Sequence, residues 1–417
     1  MSSDSTAFLA VAGRLGHQIA DSATWFNGRC NWVGALSREE SGMSGHPAIA
    51  ALGPDLYGGT SGVALFLAES GARLDDERLR ATALGAIRLA LDEAGAIDAD
   101  VRDGLYAGPI GIAYAATRVA ALVGAEDVLA GARELLAAWR RDGTRSGLSD
   151  VMSGCSGAVV GLVVLSELVD APWIVDTAAR LGDELIARAD AGRHGWSWTG
   201  PGRRSMHNLC GYAHGAAGIG HALAELYGVT GDARYREAAT RAFEYERSWL
   251  DSTAGTWPDL RGVARRARRD APVPAADSWC NGAPGIALSR MRAAELLESA
   301  EVRRDADLAL AACERHVAEL LVVAPDDFSL CHGAAGAADV LLHGAAHPAD
   351  LRGCLAARVG RWGIELHRGP GAPGFPCGVP VGETPGLLLG FGGIGMFYLR
   401  LSDRRVPSPL LIRRRGA

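Results

Sequence analysis

The sequence predicts an all-α chain closed into an α/α toroid of seven helix pairs, about 14 helices forming one domain over residues 1–417. Three observations predict it. A block of Gly-x-x-Gly followed by apolar residues occurs seven times, at intervals of 49, 46, 61, 67, 51 and 57 residues from Gly59 to Gly390. Between the blocks lie charged segments with the 3.6-residue periodicity of helices that face water on one side. The last block, GFGGIGMFYL, is as apolar as the middle ones, whereas an open solenoid ends in a polar capping repeat.

Taken along the chain, a first outer helix is expected at 6–25, and GTSGVALFLA from Gly59 opens the first inner helix. The segment LDDERLRATALGAIRLALDEA at 74–94 is the next outer helix: Leu79, Ala83, Ile87 and Leu91 recur every four residues, with Arg80, Arg88 and Asp92 off that stripe. Inner helices then start at Gly108, Gly154, Gly215, Gly282 and Gly333, followed in turn by outer helices at 125–141, 173–189, 231–250, 300–322 and 348–367. Gly390 opens the seventh inner helix. The inner segments are apolar nearly all round, as buried helices are, and glycine at their starts lets backbones crowd at one pole. No run alternates as a strand does, so no sheet is expected. The stretch RGVARRARRD at 261–270 reads as solvated loop, or as a cationic lip for an acidic peptide. The segment 368–386, with five prolines, reads as an extended connection that could border a pocket. Residues 403–417 are a short C-terminal tail whose arginines at 413–415 are expected to fray.

Composition narrows the function. Apolar residues make up 48% of the chain and charged ones 22%, enough for a large core. All 42 basic residues are arginine, so lysine Schiff-base chemistry is excluded. A net charge of −6 argues against nucleic acid and anionic membranes as partners. No apolar run approaches the roughly 18 residues of a membrane span. The N-terminus MSSDSTAFLA lacks a basic region followed by a long apolar stretch. Eight scattered cysteines fit a cytoplasmic protein better than a disulfide framework.

Closure brings the residues before each glycine block to one pole. Two positions before the first glycine stand Tyr57, Tyr106, Met152, Ala213, Cys280, Cys331 and Leu388. One position before it stand Gly58, Ala107, Ser153, His214, Asn281, His332 and Leu389. Cys280, Cys331 and His332 therefore gather at one level, a ligand set suited to one Zn2+ per chain with a fourth position left for water or substrate. The competing reading is a pair of buried core cysteines. His214 would be a fourth ligand or a general acid/base beside the metal, unless it merely caps a buried helix start. Asp150 could orient His214 or a substrate group, or act as a helix cap. His221 reads as packing and His207 is unassigned. Cys30, Cys155, Cys210, Cys313, Cys354 and Cys377 read as core. An α/α-barrel glycosidase would need two opposed carboxylates, and Asp150 is the single acidic residue assigned to the pole.

The motifs SWCNGAPGIAL, SLCHGAAG, NLCGYAHGAAGIG and DLYGGTSGVALFLA resemble those of the lanthionine synthetase C-like family, from about Trp32 to Leu411. The likeness is greatest to the cyclase domain of class II lanthipeptide synthetases. It implies an α/α toroid, zinc on Cys280, Cys331 and His332, an active-site acid/base at His214 and assistance from Asp150. It implies a zinc-dependent cyclase that adds a peptide cysteine thiolate to dehydroalanine or dehydrobutyrine in a dehydrated precursor peptide. Two positions depart from the pattern of some cyclases: Ala276 replaces an arginine, and Asn281 an aromatic residue or histidine. The dehydratase domain of the bifunctional enzymes is not in this sequence, so a separate dehydratase partner, or the rest of a longer protein, is expected. Two rival functions share the fold: addition of glutathione or a free thiol to a dehydrated residue, and a non-catalytic toroid that binds peptide or scaffolds a biosynthetic complex.

Overall fold

The computed structural model describes the chain except residues 1–2, 37–47, 144, 201–205, 266–272, 276, 324, 368–373 and 415–417. Among the described residues fourteen α-helices alternate between outer and inner, as the glycine blocks require. In order they are α1 (Ser3–Asp21), α2 (Thr60–Leu74), α3 (Glu77–Glu93), α4 (Pro109–Val123), α5 (Glu126–Asp142), α6 (Cys155–Leu165) and α7 (Trp173–Ala187). There follow α8 (Ala216–Thr230), α9 (Ala233–Arg247), α10 (Ala283–Leu297), α11 (Ala300–Leu320), α12 (Ala334–Gly344), α13 (Leu351–His367) and α14 (Phe391–Ser402).

The inner helices share one kind of start. Each inner helix has the first glycine of its block as N-cap, from Gly59 on α2 to Gly390 on α14, with no side-chain cap. Outer helices α3 and α9 begin in water and are capped by Asp76 and Asp232, whose carboxylates accept from Leu79 N and Arg234 N. Every residue of α6 is buried, whereas α5 buries Val128, Ala132, Leu136 and Trp139 along one stripe. On α3 the buried stripe is Leu79, Ala83, Ile87 and then Ala90; Leu91 is half-exposed. Strict four-residue spacing drifts about 40° per step at 3.6 residues per turn, so the fourth member falls back one position. The second glycine of six blocks meets backbone. A Cβ at Gly285 would lie 2.0 Å from the Trp279 carbonyl oxygen, and one at Gly336 1.9 Å from that of Leu330.

The chain forms two compact units. One comprises Met1–Ile97, Ala107–Gly143 and Val317–Ser408, the other Asp98–Tyr106, Thr144–His316 and Pro409–Ala417. In the first, α2 packs on α3, α4 and α14, and α1 packs on α14, so the seventh repeat adjoins the first. In the second, α8 packs on α6, α9 and α10. Its interior carries paired charge: Arg292 holds Glu225 at 2.6 Å and Arg290 holds Glu246 at 2.5 Å, all four side chains buried. Burial raises the Glu246 carboxyl to about 7 against the pull of Arg290.

The expectation of no sheet is corrected by three small antiparallel pairs. They are β1 (Thr24–Phe26) with β2 (Arg29–Asn31), β3 (Val33–Leu36) with β4 (Ala48–Ala51), and β5 (Asp190–Gly192) with β6 (Gly195–Ser197). At three or four residues each, these strands are too short to display alternation. The β1–β2 turn is Asn27-Gly28, both with positive φ (47° and 73°), the geometry of a tight hairpin. The tail is corrected as well: Arg413 pairs with Glu295 at 2.9 Å and Arg414 with Glu167 at 2.7 Å, while Arg415 lies outside the described residues. Among the described residues no helix is long and apolar enough to cross a membrane.

Candidate active site

Backbone hydrogen bonds join the residues before successive inner helices. In the second unit Ala213 N donates to Cys280 O (3.1 Å), and Val151 N and Met152 N donate to Ala213 O (3.1 and 3.2 Å). In the first unit Cys331 N donates to Leu388 O (2.9 Å) and Leu388 N to Tyr57 O (2.8 Å). At four junctions, two in each unit, the position two before the glycine block is thus a rung bonded to the same position of the next repeat, and the seventh repeat is bonded to the first. Side chains flanking these rungs share one end of their unit because the main chain holds them there.

Two Asp–His pairs are built on this frame. Asp150 Oδ1 accepts from Ser153 N at 2.7 Å, in the turn before α6, and Oδ2 lies 3.0 Å from His214 Nδ1. The His214 side chain is 31% exposed and that of Asp150 16%, so the carboxylate is the more buried member of the pair. With Nδ1 bonded to Asp150, the tautomer and the direction of the ring are set by the carboxylate. In the first unit Asp327 repeats the pattern: Oδ1 accepts from Ser329 N at 2.7 Å, and Oδ2 is in hydrogen-bond contact with His332 Nδ1. A carboxylate on Nδ1 is the usual support of a metal-ligating imidazole, whose Nε2 is then presented as a lone pair.

Both candidate metal thiols face hydrogen-bond donors. Tyr57 Oη donates to Cys331 Sγ at 3.1 Å, within the first unit. In the second, Ser278 Oγ lies 3.4 Å and Asn281 Nδ2 3.8 Å from Cys280 Sγ. Ser278 also bridges Asn281 O at 2.8 Å, so the turn before α10 is tied through its side chain. Asn281 therefore donates toward sulfur where some cyclases carry an aromatic residue or histidine, and Ala276 lies outside the described residues. Two thiols in no disulfide, each facing donors, and an imidazole backed by a carboxylate suit a thiophilic cation such as zinc in donor chemistry. Among the described residues, no group of three or more His, Cys, Asp or Glu side chains is gathered so as to hold a metal ion. Cys331 and His332 belong to the first unit and Cys280 to the second.

The extended segment from Gly374 borders His332. Gly378 N donates to Leu389 O at 2.7 Å, and a Cβ on Gly378 would lie 2.7 Å from His332 Cε1. Residues 368–373 of that segment lie outside the described residues, as do 266–270 of the arginine stretch. There, Arg261 pairs with Asp259 at 2.6 Å and Arg265 reaches Asp190 at 3.2 Å, so both described arginines meet carboxylates of their own chain. Asp327 and Tyr57 had no assigned role in the sequence. Asp327 stands six residues before its glycine where Asp150 stands four before its own, so the two carboxylates do not align.

The remaining cysteines and histidines are mostly structural. Cys30, Cys155, Cys210, Cys313 and Cys377 are buried, and burial pushes the thiols of Cys30 and Cys155 up to about 12 and that of Cys377 to about 11. Cys354 is exposed, contrary to its assignment to the core. His221 is fully buried beside Tyr212, and burial with the Arg292 and Arg413 charges lowers it to about 3. His207 packs edge-on against Trp249 at 4.7 Å.

The sequence profile of a family described as lanthionine synthetase C-like protein matches residues 50–411. No curated protein matches the chain. Among solved structures, nisin cyclase is similar with a TM-score of 0.62 and 19% identity, over 84% of this chain and 88% of that one. A cellobiose 2-epimerase from Spirochaeta thermophila DSM 6192 is similar at a TM-score of 0.45 and 13% identity, over 98% and 100%. The first likeness shows the fold, an all-α toroid of helix pairs.

Proposed function

Since the chain belongs to the lanthionine synthetase C-like family, we propose that it is a zinc-dependent lanthipeptide cyclase. It joins a cysteine of a dehydrated precursor peptide to a dehydroalanine or dehydrobutyrine of the same peptide. The observation that carries this reading is the Asp150–His214 pair, 3.0 Å apart, on the rung next to that of Cys280. Cys280, Cys331 and His332 would hold the zinc. Bound zinc supplies one thing, a substrate thiol kept as thiolate at neutral pH.

The chain's own residues account for the proton. As the substrate sulfur bonds to the β-carbon, the alkene pair moves onto the α-carbon and its carbonyl, giving an enolate. His214 Nε2 delivers a proton to the α-carbon, closing the thioether ring with no net redox change. The proton lost by the substrate thiol restores the imidazolium, so the cycle consumes none. Asp150 keeps Nδ1 as the bonded atom and stabilises the charged ring. The backbone rungs hold the pair in place, which lets orientation contribute to the rate. The dehydro residues come from an earlier dehydration of serine or threonine, a step assigned to a separate dehydratase partner.

Metal content of purified wild type, Cys280→Ala and Cys331→Ala tests the reading, beside mass spectrometry of a dehydrated peptide with and without glutathione. About one zinc per chain, lost in both variants with ring formation, is expected. Zinc absent from wild type, or full cyclisation by Cys280→Ala, would overturn it. Glutathione adducts in place of rings would assign the chain to intermolecular thiol addition.

A further inference from the structure

Tyr57 occupies in the first repeat the position that Cys280 and Cys331 occupy in the fifth and sixth, two residues before the glycine block. Its half-buried ring carries a hydroxyl that donates to Cys331 Sγ at 3.1 Å, across 274 residues of sequence. The main chain sets this meeting. Leu388 N donates to Tyr57 O while Cys331 N donates to Leu388 O, so the seventh repeat holds Tyr57 and Cys331 on either side of itself. Asp55 Oδ1, accepting from Gly58 N at 2.9 Å, fixes the turn that carries Tyr57.

Repeat symmetry alone does not point a tyrosine at sulfur. Tyr106, at the same position in the second repeat, donates instead to Pro409 O at 2.8 Å. A phenol is the most acidic hydroxyl among the side chains, and a hydrogen bond to an ionised acceptor is roughly twice as strong as one between neutral groups. The Tyr57–Cys331 bond therefore strengthens when the sulfur carries charge, as it does when it ligates a metal.

We infer that Tyr57 is a positioning residue for Cys331: its hydroxyl fixes the direction of Sγ and draws electron density from the thiolate when a metal is bound. This rests on the zinc reading above. Drawing density from one ligand leaves the metal a stronger acid toward the thiol of the substrate peptide. Tyr57 then acts on the reaction through Cys331, without touching substrate.

The test is cobalt(II) substitution of wild type, Tyr57→Phe and Tyr106→Phe, reading the thiolate-to-cobalt charge-transfer absorption, together with zinc affinity by chelator competition. Tyr57→Phe keeps the ring and its packing. It should shift the absorption to lower energy and weaken zinc binding about 10- to 100-fold, the usual effect of losing a partner behind a ligand. Tyr106→Phe removes a hydrogen bond from the same repeat position and should move neither. An unchanged absorption and affinity in Tyr57→Phe would overturn the inference, as would an equal shift in Tyr106→Phe. Wild type without thiolate–cobalt absorption would overturn the zinc reading itself, and this inference with it.

Discussion

Asp150 and Asp327 are each bonded in two directions, through one oxygen to a loop N–H and through the other to a histidine Nδ1. The likeness ends at the histidine, because His214 is assigned to proton delivery and His332 to metal binding. Matched substitutions should therefore separate the two roles. His214→Ala should slow single-turnover cyclisation of a dehydrated peptide by about 10²- to 10⁴-fold. Asp150→Asn should also slow it, and adding it to His214→Ala should cost little more, since the two act as a unit. Both variants should keep their zinc. Asp327→Asn should instead lose about 10- to 100-fold in zinc affinity. Zinc loss in His214→Ala, or undiminished zinc affinity in Asp327→Asn, would show the roles to be misassigned. At this scale the sequence was legible where a residue stands at a repeat position, as His214 and Cys331 do. Asp327 stands off that register and Tyr57 is bonded through the fold's closure, so neither contact can be read from spacing.

Among elements, the inner helices depend on their second glycine more than on propensity, since a methyl there would meet a carbonyl of the preceding turn. Gly336→Ala places a Cβ 1.9 Å from Leu330 O, and Gly285→Ala one 2.0 Å from Trp279 O. Backbone cannot yield as a side-chain tip can, so each should destabilise by about 1–3 kcal/mol, the range of overpacked cores. Gly95→Ala is the control: nothing lies within 4 Å of its added Cβ, and urea unfolding should find it neutral or slightly stabilised. A neutral Gly336→Ala would mean that the rungs are softer than their geometry. The first glycine of each block made these elements legible, because all seven mark N-caps. The strands were not legible, as β1 to β6 hold three or four residues each and owe their pairing to turns and neighbouring helices.

For the whole molecule, the decisive contact is between the first helix and the last. Closure was inferred from an apolar last repeat, and the first unit contains the contact itself. Phe8 of α1 lies 6.0 Å, ring to ring, from Tyr398 of α14, and Ser5 Oγ donates to Ser402 O at 2.9 Å. Tyr398 also donates to Gly360 O of α13 at 2.9 Å, so its ring and hydroxyl tie α14 to α1 and α13. In an open array the first helix would depend on its sequence neighbours alone, and damage to the last repeat would leave it protected. Here Tyr398→Ala removes a large buried ring, at a cost of about 3–5 kcal/mol by the usual scale for aromatic truncation. That loss should appear at both ends of the sequence. Hydrogen exchange should accelerate in α1 as well as in α14, while the buried α6 of the second unit is affected far less. Faster exchange confined to α14 and α13, with α1 protected as in wild type, would mean that the chain behaves as an open array despite its closed contacts.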